Sequence, residues 1–226
     1  MDWTAFWLSL KLGFFTVLLL IPIALLVARW LATAQFRGKA VLEAMLAVPL
    51  VLPPTVVGYY LLVGLGNNSF IGRWLVELTG QGVVFHFSGL LIASLIANIP
   101  FSVQPMQRAF EAIQQDIRDS AACCGMSFWQ SMFKVEIPLA WPGILTAIVL
   151  SFAHTLGEFG VVLMVGGSLP GETKTIAISI YDRVQAFDFN AAGKMSLLLL
   201  LFSVAVLAIA NSLARRFGRR HGLPEI

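Results

Sequence analysis

The amino-acid sequence predicts an all-α integral membrane protein, a bundle of about five transmembrane helices interrupted by one long polar segment. Three observations carry that prediction. The 226 residues are 58% hydrophobic and only 12% charged, where a soluble domain carries about a quarter charged residues. Mean hydropathy is +0.83. Several apolar runs reach spanning length, and the stretch 111–143 is the only long polar interruption in the interior of the chain.

Residues 12–28 carry no charge. With Trp7 before them and Arg29 and Trp30 after, they reach the roughly twenty residues that cross a bilayer. Lys11 can snorkel to the interface, and Pro22 predicts a kink. The run has no basic region ahead of it and continues too long for a cleavable signal peptide, so it reads as a permanent span. A short basic linker, 34–39, leads to a second span at 44–66, broken by Pro49, Pro53 and Pro54. Prolines survive in a membrane where neighbouring helices or a water-filled path satisfy the freed carbonyls. Pro53 and Pro54 are therefore candidates either for the wall of a path or for a kinked packing helix.

A polar, glycine-containing loop at 67–86 precedes the third span, 87–106, with Pro100 and Pro105 near its end. The polar stretch then opens with Glu111, Asp116, Arg118 and Asp119, continues through Ser120, Ala121, Ala122, Cys123 and Cys124, and turns at Gly125. Small residues allow close helix approach, and glycine turns without a Cβ penalty. Pro138 interrupts the pattern just before the next apolar run. This predicts a short helix, a turn and a second short helix lying between spans. The fourth span is expected at 139–165 and the fifth at 195–214, with a surface helix around 177–185 between them. On this reading 7–214 is the transmembrane domain, 110–138 its polar loop and 215–226 a basic tail.

Positive charge orients the bundle. With the polar loop inside, the inner segments hold Arg29, Arg37, Lys39, Arg108, Arg118, Lys134 and the terminal Arg215, Arg216, Arg219 and Arg220. The outer segments hold only Arg73, Lys174, Arg183 and Lys194. The N-terminus is thus expected outside and the C-terminus in the cytoplasm. The net charge of +3 is no nucleic-acid signal, because the basic residues sit beside spans rather than on one face. Cys123 and Cys124 do not form a secreted disulfide framework; small-residue packing is the expected role, with a reactive vicinal pair as the alternative. Neither Gly38-Lys39 nor Gly193-Lys194 completes a phosphate-binding loop, so any ATP that drives this chain, and its Mg, binds a separate subunit.

His154 and Glu158 lie four apart in the fourth span and share a helix face. Ionisable residues at membrane depth are functional candidates. A catalytic zinc needs three protein ligands, and His86 and His221 fall at opposite ends of the bundle, so no metal site is expected. Glu158 reads instead as a structural carboxylate, bonded to helix ends or lining a path near an outer gate. Gly157 and Gly160 beside it permit close approach or a helix break.

The register Asp119-Ser120-Ala121, three residues, Gly125, nine residues, then Val135-Glu136-Ile137-Pro138 resembles the cytoplasmic loop of ABC importer permeases, E-A-A-x-x-x-G followed nine residues later by I-x-L-P. The departures are Asp for Glu, Ser for Ala, and Val and Ile for Ile and Leu. Leu156-Gly157-Glu158-Phe159-Gly160, then Pro170-Gly171-Glu172-Thr173-Lys174-Thr175, is similar to the molybdate permeases within that family, as is the second-span segment from Pro49 to Tyr59. The resemblance implies an ABC importer permease fold with a cytoplasmic coupling helix, set in a prokaryotic inner membrane and working as a homodimer. It also implies a cytoplasmic ATPase subunit, an extracytoplasmic molybdate-binding protein, and no catalysis or cofactor in this chain. The coupling helix would lie around 110–124, Gly125 would set its turn, and Val135, Ile137 and Pro138 would tie the loop to the bundle. Pro53, Pro54, Gly157, Glu158 and Gly160 would line the path or its gate. No deep cationic trap is expected along it, since Lys11, Arg29 and Arg108 are the only basic residues at the span margins. Sulfate or tungstate import, a passive anion channel, and an intramembrane enzyme using His154 and Glu158 are the alternatives.

Overall fold

The computed structural model describes the backbone of residues 1–220, with side chains through 209 and at 212. Of the basic tail expected at 215–226, the backbone to 220 continues the last helix, and the remainder, His221 included, lies outside the described residues. Every regular element in the described residues is helical. The order is α1 Trp3–Thr33, α2 Lys39–Val51, α3 Pro54–Leu65, α4 Phe70–Thr79, α5 Phe87–Glu111, α6 Gln115–Cys123, and α7 Phe128–Ser131. A π-helical turn, Met132–Glu136, leads into α8 Ile137–Gly157, followed by α9 Gly160–Gly166, α10 Ile176–Gln185 and α11 Phe189–Arg220.

Four helical stretches are long and apolar enough to cross a membrane: Trp3–Thr33, Phe87–Glu111, Phe128–Gly157 and Phe189–Ile209. A fifth crossing needs α2 and α3 together, and they are bent by 107°. The second span expected at 44–66 is therefore not one kinked helix. Pro53 and Pro54 end one helix and start another, because proline has no N–H for the interior of a helix yet suits its first turn. The fourth span also differs from the uninterrupted 139–165. It begins earlier, running unbroken from Phe128, so the expected second short helix of the polar loop is the base of this span. It then breaks at Glu158 and Phe159, and residues 160–166 form the separate α9, packed on α3 and α5. The coupling helix expected around 110–124 is likewise shorter, since Phe110 belongs to α5 and α6 starts at Gln115. The loop at 67–86 contains α4, whose Ser69 cap accepts the Gly72 N–H at 2.7 Å.

The core sits where α1, α5 and α8 meet. At the end of the bundle near α6, Ala24, Ala28 and Leu31 of α1 pack with Met106 and Phe110 of α5 and Ala140, Ile144 and Ala147 of α8. Small residues on α1 and α8 let the helix axes approach, as packing within a bilayer requires. Gly143 is the closest of these contacts: a Cβ there would overlap Ala109 Cβ and stand 2.7 Å from the Pro105 carbonyl oxygen. At the opposite end, Phe6 packs with Ile176 and Met195, and the Ile176 N–H donates to Ser9 Oγ at 2.8 Å. Asp2 caps α1 by accepting the Ala5 N–H, and it accepts the Ser179 hydroxyl at 3.0 Å. Burial alone would raise the Asp2 pKa, but these bonds and the charges of Lys174 and Arg183 hold it below the ordinary carboxylate value. The tie between α1 and α10 is thus fully ionised at neutral pH.

The outward faces are apolar. Phe14, Leu18 and Ile23 of α1 and Leu197, Leu200, Leu201 and Val204 of α11 are all exposed, as side chains that meet lipid are.

Candidate translocation path and coupling junction

Between α1, α5 and α8 runs a seam of buried polar side chains. Thr16 Oγ1 donates to Ser94 Oγ at 3.0 Å, and Ser94 Oγ lies 3.3 Å from Thr155 Oγ1. Asn98 Nδ2 donates to the Ser94 carbonyl at 2.8 Å and to Thr155 Oγ1 at 3.0 Å. Ser102 and Ser151 hydroxyls meet at 2.7 Å. The seam has a sequence signal that the reading above did not use: Ser94, Asn98 and Ser102 recur every four residues on α5, and Ser151 and Thr155 do so on α8, each set on one face. Interhelical hydrogen bonds of this kind contribute about 0.6 kcal/mol each in a bilayer. A Ser102→Ala, Ser151→Ala double-mutant cycle on thermal unfolding is expected to return a coupling energy of about that size. An additive pair would remove the bond from the account.

The seam leads to the break between α8 and α9. His154 Nδ1 lies 3.2 Å from Asn98 Oδ1, and its ring stacks on Phe101 with centroids 4.0 Å apart. Glu158 is buried, with Oε2 3.9 Å from His154 Nδ1 and no hydrogen-bond donor in reach among the described residues. Glu158 caps α8 rather than continuing it, so the pair expected on one helix face meets across a helix end.

The candidate path residues divide. Gly160 and Pro54 are brought together, and a Cβ on Gly160 would stand 2.8 Å from Pro54 Cβ. Bent α3 thus packs on broken α9, joining the interruptions of two spans. Pro53 is exposed beside them. Gly157 is also exposed and faces open space, so it serves the break and not a close approach.

At the other end, α6 is mostly exposed, and Ala121 is its one buried residue. Asp119 and Ser120 are exposed. Asp119 accepts a bond from Gln115 at 2.9 Å, and the Ser120 hydroxyl donates to the Asp116 carbonyl at 2.7 Å. Cys123 and Cys124 are free and exposed, so any packing they serve is against a surface outside this chain. Gly125 ends the helix with φ of +74°. The Met126 N–H donates to the Ala121 carbonyl at 3.2 Å and the Gly125 N–H to the Ala122 carbonyl at 2.9 Å. This double closure is the Schellman motif, which demands a left-handed residue at that position. Val135, Ile137 and Pro138 are half-buried at the foot of α8, with Ile137 against the apolar core.

The most buried polar group at this end is Glu136, 1% exposed. Its carboxylate accepts both arms of Arg29, from Nη2 at 2.7 Å and Nε at 3.1 Å. Arg118 Nε approaches Oε2, the oxygen that also accepts Arg29 Nε, at 3.4 Å. Reading the sequence by motif missed Glu136, because it occupies the variable position between Val135 and Ile137. Its signal was a lone carboxylate in an apolar run, with Arg29 and Arg118 at span ends on the same side.

Two of the span-margin cations are engaged. Arg29 is taken by Glu136, and Lys11 lies over the Phe87 ring at 4.6 Å. Arg108 lines an open cavity of about 380 Å³ together with Glu43 and Glu111. There Gln107 Nε2 donates to Glu43 at 2.6 Å and Glu111 at 2.9 Å, joining α2 to α5.

Comparison with known proteins fits this architecture. Residues 13–222 match the family model described as binding-protein-dependent transport system inner membrane component. The molybdenum transport system permease protein ModB of Azotobacter vinelandii is 44% identical over 96% of this chain and 95% of its own length. ModB of Escherichia coli K12 is 35% identical over 98% and 97%. The sulfate transport system permease protein CysT of the same strain is 33% identical over 86% of this chain and 70% of its own. Among solved structures, a bacterial alginate ABC transporter in complex with its alginate pentasaccharide-bound periplasmic protein superposes with a TM-score of 0.75 at 17% identity, covering 94% of this chain and 78% of that one. With helices fit to cross a membrane, a polar helix exposed between two of them and a family match over nearly the whole chain, this protein belongs to the binding-protein-dependent transport system inner membrane components, as a multi-pass permease.

Proposed function

We propose that the chain is the permease subunit of an ATP-driven molybdate importer in a prokaryotic inner membrane. The end-to-end likeness to the molybdenum permeases carries this reading. In it, α6 docks in a groove of a cytoplasmic ATPase subunit that binds the ATP and Mg, and an extracytoplasmic binding protein delivers the oxyanion. The N-terminus lies outside and the C-terminus inside. A second copy completes the path. In support of that, α2 contains no buried residue and exposes Val41, Met45, Val48 and Val51, a face that a partner protomer can cover. ATP-driven closure of the ATPases opens the path outward, and their separation releases the anion inward, which is alternating access between rigid units. The engagement of Arg29 by Glu136 and of Lys11 by the Phe87 ring suits passage over retention, so selectivity resides mainly in the binding protein. The likeness to CysT makes sulfate the second reading.

The test is ATP hydrolysis in proteoliposomes holding this chain, its co-purifying ATPase and the binding protein, with molybdate, tungstate or sulfate added in turn. Stimulation by molybdate at far lower concentration than by sulfate is expected. Stimulation by sulfate alone would keep the architecture and change the substrate, and failure to capture any ATPase would favour a passive channel. Because Cys123 and Cys124 are exposed on α6, their maleimide labelling is expected to be blocked in the assembled complex. Equal labelling with and without the ATPase would remove α6 from the docking surface.

A further inference from the structure

If α6 receives the movement of an ATPase, that movement needs a route into the bundle, and few contacts offer one. Ala121 is the only buried residue of α6. The chain leaves α6 through Gly125, where a side chain would meet open space, so the helix is not wedged in place by packing. Its one strong polar attachment is Arg118. The Arg118 guanidinium donates from Nη2 to the Phe110 carbonyl at 2.6 Å and from Nη1 to the Ile113 carbonyl at 3.0 Å. These carbonyls lie at the end of α5, where a helix leaves acceptors without partners. The remaining nitrogen, Nε, reaches Glu136 Oε2 at 3.4 Å.

Glu136 joins three elements in turn. It stands on the π turn at the foot of α8, grips Arg29 of α1 in a two-pronged pair, and lies 3.4 Å from the Ser131 hydroxyl. Arg29 is itself held flat, with its guanidinium 4.1 Å over the Phe128 ring. Both arginine side chains are only 14% exposed, so water screens the cluster little. A π turn places one more residue in the helical circuit than an α turn and often marks a working position. Here it aims a carboxylate inward from the base of a span.

We propose that the Arg29–Glu136–Arg118 junction is the mechanical link by which displacement of α6 reaches α1 and α8, with Arg118 and Glu136 as its positioning residues. The alternative, a substrate site, is disfavoured by the same geometry. All three nitrogens of Arg118 meet Glu136 or a main-chain carbonyl, and the Nε–Nη2 fork of Arg29 is taken by Glu136, so neither of these forks is open to an oxyanion. A planar fork bonded simultaneously to an α5 end and to an α8 carboxylate transmits both push and pull, which a greasy contact cannot do.

This inference rests on reading α6 as the ATPase-docking helix, and the experiment separates the two. The quantity to measure is molybdate taken up per ATP hydrolysed, in proteoliposomes containing the full complex. The variant of choice is Arg118→Gln, because Glu136 then keeps Arg29 and no buried carboxylate is stranded. Uptake per ATP is expected to fall about tenfold, with partial recovery in Arg118→Lys, which restores the charge without the fork. Glu136→Gln is expected to fall at least as far. A role confined to stability would lower the amount of assembled complex and leave the ratio alone, so an unchanged ratio in Arg118→Gln overturns the inference while the importer reading stands. A wild-type chain that captures no ATPase overturns both.

Discussion

Replacing Gly125 by Asp is expected to weaken association with the ATPase while leaving the chain folded in the membrane. The left-handed backbone at this position costs an ordinary L-residue about 1–2 kcal/mol, though Asp and Asn tolerate it better. Open space around the position means that the new carboxylate strikes nothing in its own protomer. The damage therefore falls on whatever docks against α6, where an unpaired charge and an altered turn meet the partner together. Capture of the ATPase by purified permease is expected to drop at least about tenfold, the equivalent of 1.4 kcal/mol. The unfolding temperature of the isolated chain should move by only about 2–4 °C. Gly125→Asn separates the contributions, since it keeps the left-handed tolerance without the charge and should retain more of the association. Full assembly and full transport in the Asp variant would detach Gly125 from coupling.

Replacing Gly143 by Leu acts at the opposite level, on folding itself. The contact it would crowd is Ala109 Cβ and the Pro105 carbonyl of α5, and neither is the free end of a flexible side chain. To admit a leucine, α5 and α8 must separate where their packing organises the core with α1. Even Gly143→Ala introduces the overlapping Cβ, and overpacking of this kind costs on the order of 1–3 kcal/mol. Gly143→Ala is expected to lower the unfolding temperature by several degrees, and Gly143→Leu to remove the monodisperse folded fraction in detergent. An unfolding temperature in Gly143→Leu equal to that of the parent would contradict the close approach.

The apolar runs declared the spans because length and hydropathy suffice for that, and the first, third and fifth predicted runs are each covered by one long helix. What they did not declare is how a run ends or bends. Pro53-Pro54 announced an interruption, but neither the 107° angle nor the packing of α3 on α9, far away in sequence, could be read from it. Gly157 and Gly160 flanked the Glu158 break, yet the surrounding residues read as one continuous apolar span. Small residues in 120–124 suggested packing, whereas α6 buries Ala121 alone and waits for another surface. Glu136 was hidden for a different reason. A motif directs attention to its fixed positions, and the charge that ties three elements together sat in the position the motif leaves free.

The bend between α2 and α3 also bears on how the protein is made. At 1.5 Å rise per residue, neither half reaches across a hydrocarbon core of about 30 Å. Only together do the two halves supply the apolar length of one crossing. α3 packs on α9, which is not complete until residue 166 has been added. Until then Pro53 and Pro54 mark the joint without that packing. The second span is thus begun early and finished late, and a nascent chain halted after α5 carries all the residues of the bend without the partner on which α3 packs.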